Sequence, residues 1–356
     1  HSTRKYLKMS DIDDSFKVSH QENNTTKVVY LGVSFMILFS AFNIAQNLVT
    51  QIFSQEGYTN LGQYCIFAIY GCFGCSSFVV SNIKAKLSHK MGLIIGASGY
   101  FSFLVAGAVG CYCIQEDIRG GLCTESSIYT LNIVTASYLG FCAGLLWLSQ
   151  SSYVDDCTNP TNTGFLNGLF WSLCQTSQIL GSLIGAFVLG NTNHFVFYLL
   201  MCCMAGVAII LFIFLPSVRP KQISSAEVLP VKESISKFID TFKDKRMQPI
   251  FPVMFFTGII IICYATILPK IAQLSLPGAS QNEVNEKTSF IFTALGATEF
   301  ISGSLIGKLA DRFKKVYLVN VTNLLVQTGL FISMIAYFQS SYFAVMLAGI
   351  SFGLGD

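Results

Sequence analysis

Nine stretches of this 356-residue chain are each long and apolar enough to cross a lipid bilayer as a helix. A hydrocarbon core about 30 Å thick takes roughly 20 apolar helical residues. The runs fall at about 28–51, 61–82, 91–114, 128–150, 164–190, 194–215, 249–271, 288–309 and 315–338. A tenth begins near Tyr342 and is cut off at Asp356. Because a span cannot stop in hydrocarbon with unpaired carbonyls, and because the chain opens at His1 rather than Met, the sequence reads as part of a longer protein. The first run is too long for a signal peptide and is interrupted by Asn43, Gln46 and Asn47, so it reads as a true span.

Composition agrees. Only 12% of residues are charged, about half the share usual in a soluble domain, and Phe (31) and Gly (29) are abundant. A soluble enzyme, a nucleic-acid binder and a disordered chain are excluded. The expected class is an all-α polytopic membrane protein, lodged in a plasma membrane or endomembrane.

Charge placement sets the expected orientation. With the N-terminus in the cytoplasm, 19 of the 22 Lys and Arg residues fall on the cytoplasmic side. Only Arg119, Lys270 and Lys287 fall on the other, the bias that the positive-inside rule demands.

Four segments follow: a cytoplasmic polar tail (1–27), an N-terminal six-helix bundle (28–215), a cytoplasmic linker (216–247) and an incomplete C-terminal bundle (248–356). In the linker Val231, Ile235, Phe238, Ile239 and Phe242 recur at helical spacing among charged residues. That pattern predicts an amphipathic helix on the membrane surface.

The two halves repeat. Lys86-Leu87-Ser88-His89-Lys90-Met91 aligns with Lys308-Leu309-Ala310-Asp311-Arg312-Phe313. The second copy resembles the Gly-x-Leu-x-Asp-Arg loop of the major facilitator superfamily, whose plan is two parallel six-helix bundles. The resemblance implies that Lys308, Asp311 and Arg312 belong to a cytoplasmic latch between bundles, with Asp311 facing the positive end of the ninth span's dipole. The first copy carries His89 where the acid is expected.

A narrower resemblance is carried by three blocks. They are Tyr30 to Asn47 in the first span, Trp147-x-x-Gln150-x-x-Tyr153 at the end of the fourth with Gly168-Leu169-Phe170-Trp171 in the fifth, and Gly353-Leu354-Gly355-Asp356 in the tenth. They resemble the Unc-93-like branch of that superfamily. This implies a regulator of potassium channels, a chaperone of other membrane proteins, or a transporter. The favoured reading is an accessory or regulatory subunit that binds another integral membrane protein. The alternative is a secondary transporter of a small solute or ion.

Polar side chains inside a bilayer are costly and turn toward a cavity or a partner. Asn43 and Asn47 share a face of the first span, with Gln46 beside them; Trp171, Gln175 and Gln178 share a face of the fifth. These are candidate ligand contacts, with interhelical hydrogen bonding the other use for them. Glu299 sits near the middle of the eighth span and Asp356 deep in the tenth. In a transporter such a carboxyl exchanges a proton, because burial makes its neutral form accessible; hydrogen bonding within the bundle is the blander role. Ser177, Gly181 and Gly185 form a close-packing stripe.

Catalytic and metal constellations are missing, and no cofactor is expected. The four His residues are not at ligand spacing, and Cys72-x-x-Cys75 lies on an apolar helix without a second pair. Gly303 to Lys308 lacks the spacing and the Ser/Thr of a phosphate loop. Asn23 and Asn24 fit the glycosylation triplet but fall on the cytoplasmic side. Cys111, Cys113 and Cys123 cluster at the other membrane face, where Cys123 has a candidate disulfide partner if the compartment is oxidising.

Overall fold

The computed structural model describes residues 9–159, 162–218, 231–245, 247–248, 251–312 and 315–355, and among them forms helices and no strand. Twelve α-helices follow one another. The first set comprises α1 (Met9–Gln55), α2 (Leu61–Ser76), α3 (Val80–Lys84), α4 (His89–Gln115), α5 (Glu125–Cys157), α6 (Thr163–Asn191) and α7 (His194–Ile213). Then come α8 (Val231–Lys243), α9 (Phe251–Leu274), α10 (Gln281–Arg312), α11 (Lys315–Gln339) and α12 (Tyr342–Gly355). Each apolar run of the sequence coincides with a helix or a helix pair. Among the described residues five stretches are long and apolar enough to span alone: Asn24–Gln55, His89–Gln115, Glu125–Cys157, Thr163–Asn191 and His194–Ile213.

Local chemistry sets several helix starts. Ser88, Thr124 and Asn193 accept from the amides of Met91, Ser127 and Val196 at the starts of α4, α5 and α7. Ser280 does the same for Glu283 at the start of α10. Each such cap satisfies an amide that has no partner inside the helix.

Two boundaries differ from the sequence reading. The polar segment expected to be a tail is helical from Met9 and runs into the first span without a break, since 9–27 contains neither Gly nor Pro. The second crossing is made by two helices, because the ladder is interrupted by turns over 77–79. Asp311 also belongs to the last turn of α10, rather than to the loop before α11.

Packing is densest between α4 and α5, α1 and α6, α6 and α10, and α2 and α5. The α6–α10 contact joins the two sets of helices. The stripe Ser177, Gly181, Gly185 faces α1: a Cβ on Gly181 would collide with the Ser40 carbonyl oxygen, and one on Gly185 would sit 2.6 Å from Ile44 Cγ1. Small residues let the two backbones approach. Phe35 is the hub of an aromatic core, with ring centroids 5.1 Å from Phe170, 5.5 Å from Trp147 and 5.6 Å from Phe212, so one ring pins α1, α5, α6 and α7. Outward-facing positions are apolar too: Phe67, Phe187, Phe255 and Phe343 are exposed, as lipid-facing side chains are.

The amphipathic helix is α8. Its Phe238 packs edge-on against Phe78, inside the α2–α3 interruption, at 5.5 Å, and Phe242 stacks on Phe251 of α9 at 4.2 Å. The connector therefore touches both sets of helices.

Candidate functional site: a cavity between the helix sets

Between α1, α2, α4, α5 and α6 on one side and α9 and α10 on the other lies a cavity of about 260 Å³. Asn43, Gln46, Asn47, Trp171, Gln175, Gln178 and Glu299 all line it. Helical spacing explains the convergence: positions three and four apart share a face, so the amides of α1 and of α6 each form one row.

The amides differ in how they are held. Asn43 Nδ2 donates to Ser177 Oγ at 3.3 Å, and Gln46 Nε2 donates to the Tyr70 hydroxyl at 3.0 Å. Asn47 and Gln178 are 2% and 5% exposed, yet Asn47 Nδ2 and Gln178 Nε2 have no partner. A buried donor without an acceptor costs about 1–3 kcal/mol. Glu299, in α10, is 7% exposed and brings the one carboxyl group among the described residues of the wall.

The rest of the wall is aromatic. Trp147 stacks on Trp171, and Tyr100 meets Phe42 edge-to-face at 4.7 Å. Sequence reasoning singled out Trp147 only as a motif residue and passed over Tyr70, Tyr100 and Tyr264; a ring with a polar tip in an apolar helix was the available signal. The other end of the Trp147 motif is structural: the Tyr153 hydroxyl donates to the Pro216 carbonyl at 2.7 Å.

A second polar feature escaped sequence reasoning altogether. Gln51 Nε2 donates to Asn285 Oδ1, and Asn285 Nδ2 lies 2.8 Å from His194 Nε2. His194 Nδ1 in turn contacts Glu56 Oε1. With its proton on Nδ1, His194 accepts from Asn285 and donates to Glu56. Gln51, His194 and Asn285 are buried. This chain of hydrogen bonds ties α1 and the start of α7 to α10, and so clasps the two sets together beside the cavity. Gln51 lies one turn beyond Asn47, which was the only hint.

At the opposite end of the first set, His89 Nε2 lies 2.8 Å from Asp156 Oδ2. The acid missing from the first loop copy is thus met by Asp156 at the end of α5. The backbone of Lys308, Asp311 and Arg312 closes α10, but their side chains, like Asp356, lie outside the described residues. Cys113 and Cys123 form a disulfide that joins the end of α4 to the turn Gly121–Cys123, while Cys111 is a buried free thiol. In the loop after α1, burial pushes the Tyr58 phenol up to about 12, so it remains a donor, to the Gly110 carbonyl at 3.3 Å. Among the described residues no group of His, Cys, Asp and Glu is arranged to hold a metal ion.

With this geometry in view, likeness to known proteins is decisive at the family level. Residues 48–341 match the family model described as ion channel regulatory protein UNC-93. The chain belongs to the UNC-93 family. It is 22% identical over 327 residues to UNC93-like protein MFSD11 of Xenopus tropicalis, covering 82% of this chain and 67% of that protein. It is 28% identical over 170 residues to UNC93-like protein 3 of Arabidopsis thaliana, covering 45% and 32%. Human protein unc-93 homolog A is also 28% identical, over 182 residues covering 48% and 35%. The chain therefore spans from about a third to two thirds of these relatives.

Solved structures fix the fold of this UNC-93 family member. The partially occluded inward-open xylose transporter XylE from E. coli superposes with a TM-score of 0.62 at 13% identity, covering 94% of this chain and 85% of that one. A bacterial homolog of the human lysosomal transporter Spinster, inward-facing and occupied, gives 0.61 at 9% identity, covering 92% and 71%. The architecture is of the major-facilitator type that these two structures share.

Proposed function

We propose that this UNC-93 family member binds a small polar solute in the cavity between its helix sets and carries it across the bilayer by alternating access. One observation carries the reading: amides of α1 and α6 and the carboxyl of α10 converge on one cavity between the helix sets. Side chains serving only as interhelical glue would be paired with one another, whereas Asn47 and Gln178, both in the cavity wall, each keep a buried donor without a partner. In this reading Glu299 is the proton carrier, and Lys308, Asp311 and Arg312 latch the cytoplasmic side, with Asp356 a second intramembrane carboxyl. The N-terminus faces the cytoplasm. The 19-to-3 distribution of Lys and Arg supports that, and so does the Cys113–Cys123 disulfide, at the end of α4 far from the basic loops.

A second reading has one specific support, the family description as an ion channel regulator. In it the same fold docks on another integral membrane protein and stabilises it. Reconstitution separates the two. The transport reading expects solute-dependent uptake into proteoliposomes, and Glu299→Gln abolishes its proton coupling. Uptake and pH dependence unchanged in that variant would end the proton-carrier role. A stoichiometric membrane partner surviving mild detergent, with no uptake of any solute, would replace transport by the accessory reading.

A further inference from the structure

We infer, building on the transport reading, that the clasp of Gln51, Asn285, His194 and Glu56 is the gate that shuts the cavity on the disulfide-bearing side of the membrane. Its place in the fold comes first. The Tyr58 hydroxyl donates to the Gly110 carbonyl and Cys113 is bonded to Cys123, so the ends of α1 and α4 lie at one face. His194 opens α7 and Asn285 lies near the start of α10, at that same face. Gln51 follows the cavity residue Asn47 by one turn, about 6 Å along α1. The clasp is therefore the next layer beyond the cavity. Its bonds at Asn285, to Gln51 and to His194, cross from the first helix set to the second.

The two ends of the cavity differ. At the clasp end the sets interlock: a Cβ on Gly190 of α6 would sit 3.0 Å from Glu286 Oε2, and one on Gly185 would sit 3.5 Å from Ser289 Oγ. At the start of α6 a Cβ on Gly164 or Gly168 would meet none of the described residues within 4 Å. Phe165 is exposed there, and so is Trp171 of the cavity wall. The cavity is thus closed at the clasp and loosely packed around the start of α6.

The chemistry of the clasp suits a contact that is made and broken. A permanent seal between helices in lipid needs only apolar and small side chains. Polar partners part reversibly where water takes over their hydrogen bonds. Gln51 Oε1 and, one turn on, Gln55 Oε1 are buried acceptors without a partner. They go unsatisfied while the gate is shut, and water entering an opened gate satisfies them, which narrows the free-energy gap between the two states. Asn285 is the pivot: it is fully buried, and its departure with α10 parts both crossing bonds at once.

A staple that only stabilises the fold is the competing role. Hydrogen exchange of the whole chain in lipid nanodiscs separates the two, read in peptides over 47–56 and 281–289 at the clasp and over 163–171 at the start of α6. In Asn285→Ala and in Gln51→Ala the clasp peptides should exchange about tenfold faster. Because opening one end closes the other, 163–171 should at the same time exchange about threefold slower or more. A staple moves the clasp peptides alone, and a general loss of structure quickens all three. The reciprocal pattern in either variant supports the gate, and its absence from both overturns it. Reciprocal exchange without solute uptake by the native protein would sink the transport reading and leave the gate standing. Uptake by the native protein, with no reciprocal exchange in either variant, would do the reverse.

Discussion

Trp147 and Trp171 stack nearly face to face, with ring centroids 5.5 Å apart and an interplanar angle of 14°, although one belongs to α5 and the other to α6. The two helices otherwise touch little, so this pair and its neighbour Phe35 are the bridge between them on the cavity side. Trp171 is 47% exposed and Trp147 is partly covered by Phe39, at 5.1 Å. An aromatic pair adds about 0.5–1.5 kcal/mol beyond the burial of its area. A double-mutant cycle of Trp147→Leu and Trp171→Leu, read by thermal unfolding in nanodiscs, should give a coupling of about 1 kcal/mol. Strictly additive effects would show that the stacking contributes nothing.

The clasp made by Gln51, Asn285, His194 and Glu56 should behave as one unit. Asn285 donates to one neighbour and accepts from another, and it is fully buried. Removing it strands a donor on Gln51 and an acceptor on His194. Asn285→Ala should cost about 1–3 kcal/mol, Gln51→Ala a similar amount, and the double variant clearly less than their sum. Additivity in that cycle would mean that the two amides act independently.

The disulfide predicts a thiol count. The chain has twelve Cys, two of them paired, so mass-tagging of the denatured, unreduced protein should label ten thiols, and twelve after reduction. The paired residues are ten apart, a loop whose closure stabilises the native state by about 3 kcal/mol. Cys113→Ser should lower stability by about that amount and release the half-buried Cys123 for labelling from the non-cytoplasmic side only. Labelling of Cys123 from the cytoplasmic side would invert the topology.

Much of the fold could be read from the residues because lipid imposes one rule on every span, and runs of twenty apolar residues obey it whatever they pack against. The cavity amides were legible for a related reason: Asn43 and Asn47, or Gln175 and Gln178, have no use on a lipid face. The clasp was not legible, because Gln51, Glu56, His194 and Asn285 sit at helix ends, where polar residues are ordinary, and only the packing of α1 on α10 turns them into neighbours. The interruption over 77–79 was equally hidden. It carries no proline, and Phe78 continues the apolar run as any span residue would.

That interruption gives the connector a mechanical part. Phe238 rests on the hinge point of the second crossing, and one turn later Phe242 leans on the opening residue of α9. Any tilt of α2 relative to α3 must push this short strut, and the strut must push the other half of the molecule. In the proposed transport cycle α8 is thereby a lever, and its length and stiffness help to set how far the helices on either side of it can rock.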